Sequence, residues 1–532
     1  MNCIEQYYQT LMKQYIEDKL GNSVWIQVSG HKTINEFDIG FWCGFVSKDC
    51  TQECLRDYSW SIDMQSGYPG FEVIGDQIEY KSQLMNRGLE PLLFYRDFYG
   101  VATDYVEVSQ EFILLNNLRY DKKRNSYFEM KMNGEAEEAI RYNDSCTVEI
   151  QAKYLKRYAS AKELDILLQF DIRTEIIGCF ADYDLNEYVQ DEHKETITYT
   201  VYGSEDIYHN KIYSRLLGKK VIESYPKEKC GIWPYENKKT YEEFIIGKDD
   251  NGEPVLYTCN PEKLNNYFGS NPTAPMYLTP VFFKREVLRK YYGKPELYSI
   301  EDGSLNCRSL WGMEIDNHHL DVVGVYLGDL GRDLPESEQK HWKIYNILVD
   351  EHLSFVSFGR DNLNYYMDSN IIEHQFKRNY KMLNNAWRAY YGWPLYLELV
   401  KPDMYLLNQI RRPLDDSQME FDQLVLMLDK IIIEYLNEAA IASKLNDKDI
   451  TGGINRLEQF LVENSVKDYR EHIDFLRELH RLRSTGSGHR KGKDYMKIAQ
   501  RFKTDERSLP DVFDDILRQA DAFLRFLITI VG

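Results

Sequence analysis

Near residue 370 the sequence changes its hydrophobic period, and that change divides what the chain can fold into. Before it, short runs rich in β-branched and aromatic residues alternate with turn dipeptides, without the regular crossover helices of a parallel sheet. After it, apolar residues recur at helical spacing to the end of the chain. The fold class expected is an α+β N-terminal region followed by an all-α C-terminal helical bundle. A chain of 532 residues exceeds what one core usually serves. We expect an N-terminal α+β domain over 1–225, a second, hairpin-rich α+β region over 226–345, a helical connector over 346–402 and the bundle over 403–532. The stretch Tyr225-Pro226-Lys227-Glu228-Lys229 marks the first of these boundaries.

Three hairpins are legible in the first part. Residues 126–132 run through Asn133-Gly134 into Glu138–Tyr142, and Asn143-Asp144 then leads to Thr147–Gln151. Asn-Gly tolerates the positive φ of a tight turn, so a meander is expected there. Tyr241–Gly247 and Val255–Cys259 flank Asp250-Asn251-Gly252, and Leu310–Ile315 is expected to pair with Val322–Leu327 around Asp316-Asn317-His318-His319. Helices are expected at about 152–163 and 284–291. In the second part, Ile371–Tyr391 carries Phe376, Tyr380, Leu383 and Trp387 on one face and stops at Gly392-Trp393-Pro394. Pro413 opens the bundle, with Asp415, Asp416 and Ser417 as capping candidates. Its last helix begins at Ser508, with Asp511 three positions on.

Charge and apolar content exclude several functions. With 85 acidic and 65 basic side chains the net charge is -20, which argues against a general nucleic-acid coat. No apolar run approaches the roughly 18 residues of a membrane span, and the N-terminal segment reads as an amphipathic helix and not a signal peptide. Nine scattered cysteines without a C-x-x-C pair suit a reducing compartment. A cytoplasmic location and no membrane partner are expected.

One stretch departs from this acidic background. From Arg477 to Lys503 there are nine Lys and Arg against two acids, Glu478 and Asp494, a local charge of +7. Inside it, Arg483 and His489 flank the turn Ser484-Thr485-Gly486-Ser487-Gly488. Histidine moves protons near neutral pH, and arginine holds a phosphate in a planar fork. Together they can perform phosphodiester chemistry without a metal. The stretch resembles the HEPN superfamily of α-helical domains, whose signature is Arg, four to six residues with a polar one first, then His, placed late in a bundle. Arg483, Ser484 and His489 fit that frame over about a quarter of the chain. The resemblance implies an endoribonuclease that attacks through the RNA 2′-OH, with catalytic Arg483 and His489. Glu438 matches the acidic helper that relatives carry in an earlier helix. It also implies a homodimer through the bundle and a role as a regulated toxin or anti-phage defence effector of the abortive-infection kind.

On this reading Arg481, Ser484, Arg490, Lys491 and Lys493 contact RNA, transfer or messenger, and the N-terminal region senses a phage-derived or protein trigger. No cofactor and no metal are expected. His318 and His319 lie beside Asp316 and Glu314, but adjacent residues of a strand face opposite ways, so a turn role is the reading there. Paired tyrosines, such as Tyr291-Tyr292 and Tyr390-Tyr391, read mainly as half-buried core. The competing function is a non-catalytic HEPN-like scaffold that dimerises or binds a ligand or partner protein. In that case Arg483 and His489 merely cap helix ends.

Overall fold

The computed structural model describes residues 3–532 apart from 35–36, 57–68, 82–87, 184–185, 351, 355, 358–368 and 487–491. The chain divides into two compact units. One holds Met1–Lys131 and Glu135–Lys238, the other Met132–Gly134 and Lys239–Gly532. The division falls after Lys238 and not at 225, and the three regions expected over 226–345, 346–402 and 403–532 share the second unit. The β-rich part precedes the helical part, as the change of period requires. No helix among the described residues is long and apolar enough to cross a membrane.

The first unit is built on one eleven-stranded antiparallel sheet. Its strands are β1 (Trp25–Ile34), β2 (Phe37–Ser47), β3 (Leu89–Pro91), β4 (Leu118–Asp121), β5 (Ser126–Met130), β6 (Ala136–Tyr142), β7 (Val148–Gln151), β8 (Leu164–Ile177), β9 (Tyr188–His193), β10 (Ile197–Asp206) and β11 (Lys211–Ile222). The order is β9-β10-β11-β8-β2-β1-β7-β6-β5-β4, with β3 on β2. The expected meander is β5-β6-β7. Its first turn spans Lys131–Glu135, longer than a two-residue Asn-Gly loop, with Gly134 at φ 78°. Residues Leu164 to Ile172 of β8 are all buried, because strands flank it and helices cover the sheet. Helix α1 (Cys3–Gln14) packs on β11. Helix α2 (Ala152–Ala161) buries Tyr154, Leu155 and Tyr158 against β7 and β8. The Tyr158 hydroxyl donates to Glu90, so its polar tip is satisfied inside the core.

The second unit begins with short strands. Strands β12 (Glu243–Lys248) and β13 (Pro254–Thr258) form the second expected hairpin, and Asp249 Oδ1 accepts the amides of Asn251 and Glu253 in its turn. The third expected hairpin does not form. Strand β14 (Pro280–Lys284) pairs with β18 (Val322–Tyr326) and β19 (Asn346–Ile347), whereas β15 (Tyr298–Glu301), β16 (Ser304–Cys307) and β17 (Trp311–Glu314) make a separate meander. Burial explains the separation. All five residues of β18 are buried, while β17 alternates buried and exposed, so the two strands suit different sheets. A single bridge, Asp316 to Gly324, is what remains of the expected pairing. Two helices, α3 (Leu327–Asp333) and α4 (Glu336–Ile344), follow β18.

The helical part comprises α5 (Ile372–Tyr391), α6 (Gln418–Asp429), α7 (Glu438–Lys444), α8 (Gly453–Glu463), α9 (Arg470–Gly486), α10 (Lys493–Phe502) and α11 (Leu509–Val531). Helix α5 ends where Gly392 adopts φ 81°, a left-handed cap that glycine supplies without a Cβ clash. Helix α6 starts at Gln418 and not at Pro413, because the Ser417 hydroxyl accepts the Glu420 amide at 3.4 Å. Ser508 caps α11 through the Asp511 amide as its sequence implies. The core gathers the helical faces, with Phe376, Leu383 and Trp387 of α5 fully buried beside Phe421, Leu476, Phe513 and Leu524. Truncating Trp387 or Phe513 to alanine costs about 3–5 kcal/mol at such sites.

A buried ion pair joins the two parts of this unit. Arg285, 4% exposed, donates to Glu373 at the start of α5 at 2.6 Å, and the other Glu373 oxygen accepts the Arg412 amide at 2.7 Å. Removing one charge strands the other in the core. Arg285→Met or Glu373→Leu alone is expected to lower stability by about 3–5 kcal/mol in chemical denaturation, and the double variant is expected to recover part of that loss. Additive losses in the double variant would contradict the pairing.

Candidate functional site

The functional geometry begins with an acid in an apolar run. Helix α6 reads Leu424-Val425-Leu426-Met427-Leu428-Asp429, and Asp429 is fully buried. At Lys430–Glu434 the α-helix gives way to a π turn. In a regular α-helix residues five apart lie roughly 140° apart around the axis. A π turn bonds residue i to i+5 and brings such a pair onto one side, and π turns recur at functional sites. Here the pair is Asp429 and Glu434, and Arg483 of α9 lies against both carboxylates.

Arg483 Nη2 stands 2.9 Å from Glu434 Oε1, and its Nε 3.9 Å from Asp429 Oδ2. His480, one helical turn earlier on α9, meets Asp429 Oδ1 through Nδ1 at 3.0 Å. The i, i+3 spacing puts both basic side chains on one face. His480 is 44% exposed and Arg483 30%, so each keeps a solvent side while anchored to a sealed carboxylate. Burial raises the Asp429 carboxyl above the ordinary value of 3.8, and His480 and Arg483 pull it back only in part. The arrangement is an acid–imidazole pair beside a guanidinium, which can orient a proton carrier and present a phosphate-binding fork.

The other residues marked in the sequence fall as follows. His489, Arg490 and Lys491 lie outside the described residues. Ser484 ends its hydroxyl on the Arg481 carbonyl at 3.1 Å, and Thr485 does the same at 2.7 Å, so both satisfy the last turn of α9. The Arg481 side chain is exposed, and Lys493 is exposed at the first position of α10. Tyr495 of α10 packs close to Gly486, where a Cβ would come within 3.3 Å of its ring. Besides Arg483, two more basic residues of the stretch are spent on local ion pairs among the described residues. Arg477 pairs with Glu458 at 2.5 Å, and Arg501 with Glu478 at 3.0 Å. Glu438 pairs with Arg456 of α8 at 2.7 Å, whereas Arg483 lies against Asp429 and Glu434. Sequence reading missed Asp429, although an acid directly after five apolar residues was its available signal. Tyr291 and Tyr292 are buried, and Tyr390 is exposed.

Comparison with protein-family models, with curated proteins and with solved structures finds no match to this chain.

The Asp429 geometry has a pH consequence. A carboxyl whose folded pKa is raised stabilises the fold below its unfolded pKa, and that contribution is lost as pH rises through the raised value. Asp429→Asn removes this titration. Its stability relative to the native chain is therefore expected to increase from about pH 4 to about pH 7, by at most about 1.4 kcal/mol per pH unit. A difference in melting temperature that stays constant over that range would contradict it.

Proposed function

We propose that the helical part of this chain is a HEPN-type, metal-independent endoribonuclease, with Arg483 as the phosphate stabiliser and His489 as the proton-transfer residue. The observation that carries the reading is the placement of Arg483. It sits in the last turn of α9, half-exposed, paired with Glu434 at 2.9 Å and 3.9 Å from the buried Asp429, and six residues before His489 in the sequence. His489 takes the proton from the RNA 2′-OH, the 2′ oxygen attacks phosphorus, and the bond to the 5′ oxygen breaks. The leaving 5′ oxygen takes a proton back from the His489 imidazolium, and the products are a 2′,3′-cyclic phosphate and a 5′-hydroxyl. The Arg483 guanidinium stabilises the negative charge that builds on the phosphoryl oxygens. His480, oriented by Asp429, is a second group able to pass protons at the same end of α9.

Arg481, Arg490, Lys491 and Lys493 then attract the RNA backbone, and the remaining acidic surface limits that attraction to this end of the bundle. Ser484 is the polar residue of the signature, and its hydroxyl already bonds within the helix. The family reading adds a homodimer through the bundle, a cytoplasmic setting, and the first unit as sensor of the trigger of a toxin or defence effector. The Glu434–Arg483 ion pair supports such restraint, because a phosphate has to displace Glu434 to reach the guanidinium. The same pair favours a second reading, a non-catalytic scaffold in which Arg483 is purely structural.

Expression with RNA readout separates the two. Arg483→Ala and His489→Ala are each expected to lower RNA cleavage by at least about 100-fold, or about 2.7 kcal/mol of transition-state stabilisation, and to relieve growth arrest. Glu434→Gln is expected to increase cleavage by freeing the guanidinium. Folded variants of Arg483 and His489 that cleave and arrest growth like the native chain would favour the scaffold.

A further inference from the structure

A second cluster, built from three distant parts of the second unit, has the chemistry of a metal site. Asp302 lies in the turn between β15 and β16, His318 just beyond β17, and His374 in the first turn of α5. One donor atom from each of these three residues lies within 4.8 Å of the others. Two donors of a tetrahedral zinc-type ion, each about 2.1 Å from it, stand about 3.4 Å apart. Side-chain shifts of up to about 1.4 Å therefore close the set. The His318 and His374 ring centroids are 5.6 Å apart.

Each member is prepared for this role. Asp316, 3% exposed, accepts from His318 Nδ1 at 2.9 Å, and its carboxylate also takes the Ser354 amide at 2.6 Å and the Ser354 hydroxyl at 2.8 Å. A carboxylate fixed behind one ring nitrogen sets the tautomer and turns the other nitrogen outward, the arrangement that orients histidine ligands of metals. The outward nitrogen, His318 Nε2, points at Asp302 Oδ1 at 2.6 Å. His374 is 7% exposed, and its Nε2 is buried with no hydrogen-bond partner among the described residues, Glu373 Oε1 standing 3.8 Å away. A buried ring nitrogen without a partner is costly unless something fills its lone pair or takes its proton. Beside the cluster lies a cavity of about 340 Å³ lined by Asp302, Gly303, Ser304, Glu314, Asp316 and Ser357.

We propose that Asp302, His318 and His374 bind one divalent transition-metal ion of the zinc type, with Asp316 as the positioning residue behind His318 and the cavity facing an open coordination position. Two imidazoles and one carboxylate form a three-ligand set, which leaves the fourth position of a tetrahedral ion to water or a ligand. Entry of the ion displaces the proton shared between His318 and Asp302, so binding releases a proton and weakens as pH falls. The site is separate from the Arg483 cluster, and its presence or absence leaves the ribonuclease reading untouched. His319 lies outside the set, its Nε2 standing 3.4 Å from the other Asp316 oxygen, Oδ2. The ligands come instead from residues 16 positions before His318 and 56 after it.

The test is titration of the untagged full chain, stripped with EDTA and exchanged into chelator-free buffer, with Zn²⁺ by calorimetry and with Co²⁺ by visible absorption. One equivalent of Zn²⁺ per chain is expected, with a Co²⁺ spectrum of low coordination number and proton release on binding. Asp316→Asn is expected to weaken binding about 10- to 100-fold, and His374→Ala and Asp302→Ala by more. Asp302 is exposed, so its variant keeps the fold and decides the matter if His374→Ala does not. No stoichiometric uptake by the native chain, or uptake unchanged in Asp302→Ala, would overturn the site. His318 would then be a protonated clamp between Asp302 and Asp316.

Discussion

A carboxylate sealed inside an apolar bundle has to be answered by cations, and Asp429 is answered by His480 and Arg483. That requirement fixes much else. It sets the rotation of α9 about its axis, because residues 480 and 483 must face α6 together. It accounts for the π turn after Asp429, which carries Glu434 round to the same guanidinium. Since His480 and Arg483 each retain an exposed side, the same contacts that hold α9 in place also present two basic groups to solvent at its end. Packing and chemistry are here served by one set of atoms.

The basic stretch is smaller in space than in the sequence. Arg477 and Arg501 neutralise neighbouring glutamates, and Ser484 and Thr485 turn back onto the helix. What stays outward among the described residues includes Arg481 and Lys493, beside the half-exposed Arg483. A local site on an acidic body attracts phosphate over a short range only, roughly the 8 to 10 Å of physiological screening. Selective contact with RNA follows more readily from that than general nucleic-acid binding. The His318 cluster lies in the same unit, yet its donors are those of a metal-binding site and not of a phosphate fork.

Legibility followed sequence distance. Local rules gave the β5-β6-β7 meander, the β12-β13 hairpin, the span of α5 with its Gly392 stop, and the Ser508 cap, because each depends on residues within one or two turns. The third hairpin failed because proximity in sequence suggested a pairing that burial forbids: β18 is covered on both faces and β17 on one. The unit boundary after Lys238 depends on long-range packing that no local composition shift records. In the candidate site, Arg483 was visible through its motif and charge, whereas Glu434 required a π turn that helical periodicity cannot anticipate. Glu438 was chosen by position along the chain, and in space it faces Arg456. The Asp302–His318–His374 set was hidden for a similar reason, its members being brought together only by the turn of one meander and the start of a later helix.

The central claim is that the end of α9 cleaves RNA by 2′-OH attack without a metal. The most direct measurement is the chemistry of the RNA ends after incubation with the purified full chain in excess EDTA, read by mass spectrometry. The account expects 2′,3′-cyclic phosphate and 5′-hydroxyl ends, formed at the same rate with and without chelator. Ends bearing 3′-hydroxyl and 5′-phosphate, or cleavage that stops in EDTA, would contradict it.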